Sequence, residues 1–133
     1  MISGSCLCGL VKYEADELVG SIIFCHCHFC RKSSSSAFSS NSTVEKETFK
    51  IIEGEDKLRT YESSPGKLRY FCSNCHTQLF HVKAGMDTIT IKLGAVDTIT
   101  QDISQIEKFH INCESDRELT DYENLPKYDL TKI

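Results

Sequence analysis

Lys67–Phe80 reads KLRYFCSNCHTQLF. Two strand-like runs, KLRY and TQLF, flank the pair Cys72-x-x-Cys75. A CxxC turn lets two thiolates take adjacent corners of a tetrahedron. Its place between two strands puts it at the tip of a hairpin, where zinc knuckles sit. The same spacing serves disulfide exchange when it lies in a βαβ unit, but here both flanks are strand. A lone knuckle supplies two of the four ligands that a closed zinc site needs. Two more must come from elsewhere in the chain.

The nearest fit is Cys6-x-Cys8, near the N-terminus. In an extended strand residues i and i+2 share a face, so both thiols can reach one metal. Cys6, Cys8, Cys72 and Cys75 are therefore expected around one structural zinc, tying the N-terminal strand to a distant hairpin. A small sheet protein gains stability from such a link.

A third group, Cys25-x-Cys27-x-x-Cys30, lies in FCHCHFCRK, Phe24–Lys32. Cys25 and Cys27 are expected on one strand face, with Cys30 folded back through a short turn. His26 and His28 then point to the opposite face as surface or sheet-face residues. Three thiols with an open fourth position are how a reactive zinc is held. Zinc there polarises a carbonyl oxygen or holds a substrate thiol as thiolate. Arg31 and Lys32 supply positive charge nearby. His76 is read as an exposed loop residue, and His110 and the eighth cysteine, Cys113, as packing residues.

The rest of the chain reads as β-rich. LCGLVKYEA, GSIIFCHC, FKIIEG, KLRTYES and DTITIKLGAV carry β-branched and aromatic residues between turn signals such as Gly54 and Ser64-Pro65-Gly66. SAFSSNSTV is a weaker strand candidate, TVEKETF a short helical turn, and the serine run Ser33–Ser36 a solvated loop whose polar groups lie close to Cys30. The acidic stretch DRELTDYENLPKYDL is expected to be a partly ordered tail. Residues 1–133 show no internal boundary and are expected to form one domain.

The formal net charge of −4 argues against a phosphate-backbone binder. Loading both metal sites takes it to about −7. No apolar run approaches the ~20 residues that span a bilayer, and MISGSCLCGLVKY is no secretory signal. A cytoplasmic protein with eight cysteines is expected to use them for metal rather than disulfides.

Three motifs together, Gly4-Ser5-Cys6-Leu7-Cys8-Gly9, Cys25-His26-Cys27-His28-Phe29-Cys30-Arg31-Lys32 and Arg69-Tyr70-Phe71-Cys72-Ser73-Asn74-Cys75, resemble the glutathione-dependent formaldehyde-activating (GFA) enzyme family, which includes the centromere protein V-type domain. LGAVD (Leu93–Asp97), KFHI (Lys108–Ile111) and ENLPKYD extend the resemblance over about Ser3–Tyr128. It implies a mainly β architecture, the β-tent fold of short antiparallel strands stapled by zinc. It implies that Cys6, Cys8, Cys72 and Cys75 hold a structural Zn2+, and that Cys25, Cys27 and Cys30 hold a catalytic, more labile one. The implied activity is that of a carbon–sulfur lyase, adding glutathione or a related thiol to formaldehyde or another small carbonyl. The implied partners are a small thiol and a carbonyl compound, with no nucleic acid and no membrane, and oligomeric state is left open. His76 and Ser35 stand where the family usually has glycine, and Leu119 where it usually has tryptophan. These departures leave both cysteine sets intact and bear on thiol specificity.

Two other functions fit fewer of these residues. A non-enzymatic zinc-binding module needs only the four-thiolate site. A redox protein needs only Cys25, Cys27 and Cys30.

Overall fold

The computed structural model describes residues 1–119 and 125–129. Two sheets of short strands carry the architecture. The smaller uses β1 (Ile2–Ser5), β2 (Lys12–Ala15), β5 (Lys50–Glu53) and β10 (Val96–Ile99), in the order β10-β1-β2-β5. The larger uses β3 (Ile22–Cys25), β4 (Ser39–Glu45), β6 (Leu58–Ser64), β7 (Lys67–Cys72), β8 (Gln78–Lys83), β9 (Thr88–Lys92) and β11 (Lys108–Ile111), in the order β11-β3-β4-β9-β8-β7-β6. The expected mainly β fold of short antiparallel strands is present. The parallel pairing of β11 with β3 is the exception.

Alternation along the strands sorts the two faces of the large sheet. On one face Ile91 lies opposite Phe80, and Ile89 opposite Val44 and Val82. That apolar face packs on Ile2, Tyr13 and Ala15 of the small sheet, and on Val11 just before β2, in a shared core. The ring of Phe49 bridges the layers, stacking on Tyr13 at 5.0 Å and meeting Phe80 at 4.7 Å. The other face is polar. Across it Cys25 lies opposite Ser39, Asn41 opposite Lys92, and His81 opposite Thr90 and Arg69.

Several local expectations are corrected. Ser33–Ser36 is no free loop: α1 spans His28–Ser34, and Ser35 closes it in the left-handed conformation, φ 51°. The weak candidate around Ser39 is a seven-residue central strand. The helical turn is confined to a 3-10 segment, Lys46–Thr48, preceded by strand. The acidic tail falls partly on residues 120–124 and 130, outside the described residues. Among the described residues, no helix is long and apolar enough to cross a membrane.

Candidate metal centres

The first cysteine set joins the two sheets. Cys6 and Cys8 do not sit on a strand face, as the i, i+2 reading expected. They lie in the turn after β1, where Gly9 N–H donates to the Cys6 carbonyl at 2.9 Å. Turn curvature, not pleat, brings the two sulfurs within 3.5 Å of each other. Cys72 ends β7 and Cys75 follows in the turn to β8, the hairpin tip that the sequence indicates. All four sulfurs lie within 4.8 Å of one another.

Three of these sulfurs receive a donor from their own turn. Val11 N–H points to Cys6 Sγ at 3.3 Å and Asn74 N–H to Cys72 Sγ at 3.4 Å. The Thr77 hydroxyl lies 3.3 Å from Cys75 Sγ. That hydrogen bond, foremost, holds the Cys75 thiol down to about 5, whereas burial pushes Cys6 up to about 11. Leu7 N–H also donates to the Thr77 hydroxyl at 3.1 Å, a second tie between the hairpins. Four soft thiol donors, converging and hydrogen-bonded, fit a closed tetrahedral zinc site.

The second set is local. Cys25 is the last residue of β3, and Cys27 caps α1, its sulfur accepting the Cys30 N–H at 3.4 Å. Cys30 lies in the first turn of that helix. A helical turn, rather than a shared strand face and a simple turn, therefore gathers the three sulfurs within 4.8 Å. Among the described residues no fourth His, Cys, Asp or Glu joins them. The donor set fits zinc with one position left for another ligand.

His28 is exposed, as expected. His26 is buried instead of lying on an open face. Its Nε2 lies 2.8 Å from His110 Nδ1, and its Nδ1 is 3.5 Å from Asp116 Oδ1. Its ring packs with Phe38 and His110. His110, read as a packing residue, is exposed while sharing these ring contacts. Cys113 is exposed in a 3-10 turn, not packed in a strand. His76 is exposed, as its loop position suggested, with φ 65°.

The cations that reach the second set are not Arg31 and Lys32. Arg31 turns its Nε to the His26 carbonyl at 3.1 Å, and Lys32 is exposed. Arg69, only 2 % exposed, directs Nη2 at Cys30 Sγ at 3.9 Å while its other nitrogens donate to Ser63 and Ser33 hydroxyls. Buried Lys92 donates to Asn41 Oδ1 at 2.9 Å, and Asn41 donates to the Ser39 hydroxyl at 2.8 Å. Ser39 in turn serves Cys30. Burial alone raises the Cys30 thiol, but the Ser39 hydrogen bond, the Lys92 charge and its two sister thiols together bring it to about 7. Burial pushes Cys25 up to about 11, against donation from Asn112 Nδ2 at 3.2 Å.

None of the ion pairs among the described residues involves Arg69 or Lys92. Two buried cations without a carboxylate partner are costly unless other anions neutralise them. The Cys30 thiol, brought down to about 7, supplies one such anion. The signal for both cations was present in the sequence as charged residues in strand positions, Arg69 in KLRYFC and Lys92 in TITIK. A polar i, i+2 partner for each, Lys67 and Thr90, marks the face.

The sequence profile of a family described as glutathione-dependent formaldehyde-activating enzyme matches residues 1–115. Among solved structures, the crystal structure of a Rhodobacter sphaeroides protein, a structural-genomics target, aligns with a TM-score of 0.63 at 19% identity. The alignment covers 80% of this chain and 99% of that one. At that identity the likeness speaks for the fold. No curated protein sequence matches the chain.

Proposed function

This chain belongs to the glutathione-dependent formaldehyde-activating enzyme family, and from that membership we propose that it joins a thiol to a small carbonyl compound. Cys6, Cys8, Cys72 and Cys75 hold a structural zinc, and Cys25, Cys27 and Cys30 a second, more labile one. Bound at the second set, zinc supplies the positive charge that keeps an incoming thiol deprotonated near neutral pH. Delivery of the thiol as thiolate makes a separate general base unnecessary.

The observation that carries this reading is the pairing of three converging thiols with two buried cations and, among the described residues, no fourth protein ligand. Three thiolates, a divalent ion, Arg69 and Lys92 leave one positive charge over. An incoming thiolate cancels it, whereas a neutral carbonyl oxygen does not. Asn112, the Cys30 N–H and Arg69 each support a different sulfur of the set. Such outer contacts fix ligand orientation and basicity.

The body of the thiol is assigned to a cleft of about 420 Å³ bordered by Ser33–Ser36, His76 and Lys92. Ser35 and His76, both at positive φ, present side chains to this cleft. We place the protein in the reducing cytoplasm, where thiol ligands persist.

The test is adduct formation. Zinc-loaded protein is mixed with glutathione and 13C-formaldehyde, and the hydroxymethyl thioether signal is followed against the uncatalysed rate. Acceleration that disappears in Cys27→Ala, with one zinc still bound, supports the proposal. A fully loaded protein that gives no acceleration with glutathione or other small thiols refutes it and leaves a zinc-binding module.

A further inference from the structure

A second cavity lies against the three-thiol set, on the polar face of the large sheet. Its volume is about 230 Å³, and Cys25 and Cys30 form part of its wall. A water molecule takes about 30 Å³ of liquid, so the space suits a molecule of several heavy atoms rather than formaldehyde alone. Ile23 and Ile111 give it an apolar side.

The other side is cationic and short of partners. Lys67 and His81 line it, together with Asn41, which holds the Lys92 ammonium. Among the described residues, no acidic side chain borders it. His81 is 8 % exposed, and its Nδ1 is buried without a hydrogen-bond partner. A buried polar atom left unpaired costs free energy that a ligand can recover. Burial foremost, then the charges of Lys92, Lys67 and Arg69, holds the His81 imidazole neutral. The neutral ring has one N–H to donate, and three positive charges surround it.

We propose that this cavity binds the carboxylate of a small oxo acid, so that the carbonyl compound joined to the thiol is an anion. The proposal rests on the thiol-transfer reading for its chemistry and on the cavity alone for its binding. The carboxylate faces Lys67 and His81, the short carbon skeleton lies on Ile23 and Ile111, and the carbonyl carbon faces the thiol set. The thiolate electron pair forms the carbon–sulfur bond as the carbonyl π pair moves to oxygen. That oxygen takes one proton from solvent, equal to the one the thiol released, and the product is a hydroxy thioether acid. No oxidant or reductant is consumed.

Binding and turnover are measured separately on zinc-loaded protein. Acetate serves as an inert carboxylate and acetamide as its neutral counterpart, followed by amide NMR shifts. Saturable acetate binding, absent for acetamide and weakened about tenfold in Lys67→Gln, is expected from loss of one charge-assisted contact. Lys67 is half-buried at the rim, so this variant keeps the fold; His81→Gln gives a second reading from inside the cavity. Glyoxylate is then expected to compete with acetate and to form adduct with glutathione faster than formaldehyde does. Absence of acetate binding, or binding indifferent to both substitutions, overturns the anion subsite even if formaldehyde is turned over. Acetate binding of the expected kind with no adduct from either aldehyde upholds the subsite and refutes thiol transfer.

Discussion

Replacing Cys72 by alanine tests the division of labour between the two cysteine sets. Cys72 is fully buried, and its set links the β1–β2 turn to the β7–β8 hairpin. Structural zinc sites contribute about 10–16 kcal/mol of folding free energy at neutral pH. A chain of 133 residues has a net stability of about 7–20 kcal/mol. Loss of this site therefore removes most of the margin, although the shared apolar core remains. Cys27→Ala is the matched control. It removes the second site and the helix cap, and the cap is worth about 1 kcal/mol. Zinc per chain is read by mass spectrometry under native conditions and by dye release, and stability by a circular-dichroism melt. Cys72→Ala is expected to lose its cooperative melt at ordinary temperatures. Cys27→Ala is expected to keep one zinc and melt roughly 3–6 °C below wild type. A Cys72→Ala protein melting cooperatively within a few degrees of wild type refutes the reasoning, as does Cys27→Ala holding two zincs.

Ser35→Gly is expected to stabilise the protein. A left-handed L-residue costs about 1–2 kcal/mol, glycine gives back about 0.5–1 kcal/mol in chain entropy, and the balance raises the melting temperature by a few degrees; a lower melting temperature contradicts this. The His81 imidazole is held at about 2 in the fold, chiefly by burial, against 6.5 when free. Because the folded value is depressed, the unfolded chain binds the extra proton. Stability is thus complete above pH 6.5 and falls as the pH drops below it, by about 2 kcal/mol at pH 5. Denaturant titration at pH 8 and pH 5 should show this loss in wild type and a smaller one in His81→Gln, with equal losses counting against it.

The two cysteine sets were legible because cysteine spacing carries their chemistry directly. CxxC between two strand-like runs fixed a hairpin tip, and the structure places Cys72 and Cys75 there. The route by which Cys6 and Cys8 converge was not legible. A two-residue spacing reads alike whether pleat or turn brings the thiols together, and Gly9, φ 79°, was the sign of the turn. The helix His28–Ser34 was hidden because serine-rich and cysteine-rich runs have weak helical propensity. Tertiary contacts from Ser33 to Arg69 and from Cys30 to its neighbours hold it. The burial of Lys92 and His81 on the polar face had no signal in the alternation of their strands. Alternation shows which residues share a face, not whether that face is open to water. The parallel pairing of β11 with β3 had no local signal, since the partners lie far apart in sequence.

The spacing of the two cysteine sets also orders events during synthesis. Cys25 to Cys30 spans six residues, whereas Cys6 to Cys75 spans seventy. Closing the longer loop costs about 2 kcal/mol more in chain entropy. A ribosome must release another 45 residues after Cys30 before Cys75 exists to complete the four-thiol set. The nascent chain therefore completes its three-thiol set first, and the four-thiol set that joins the two sheets last.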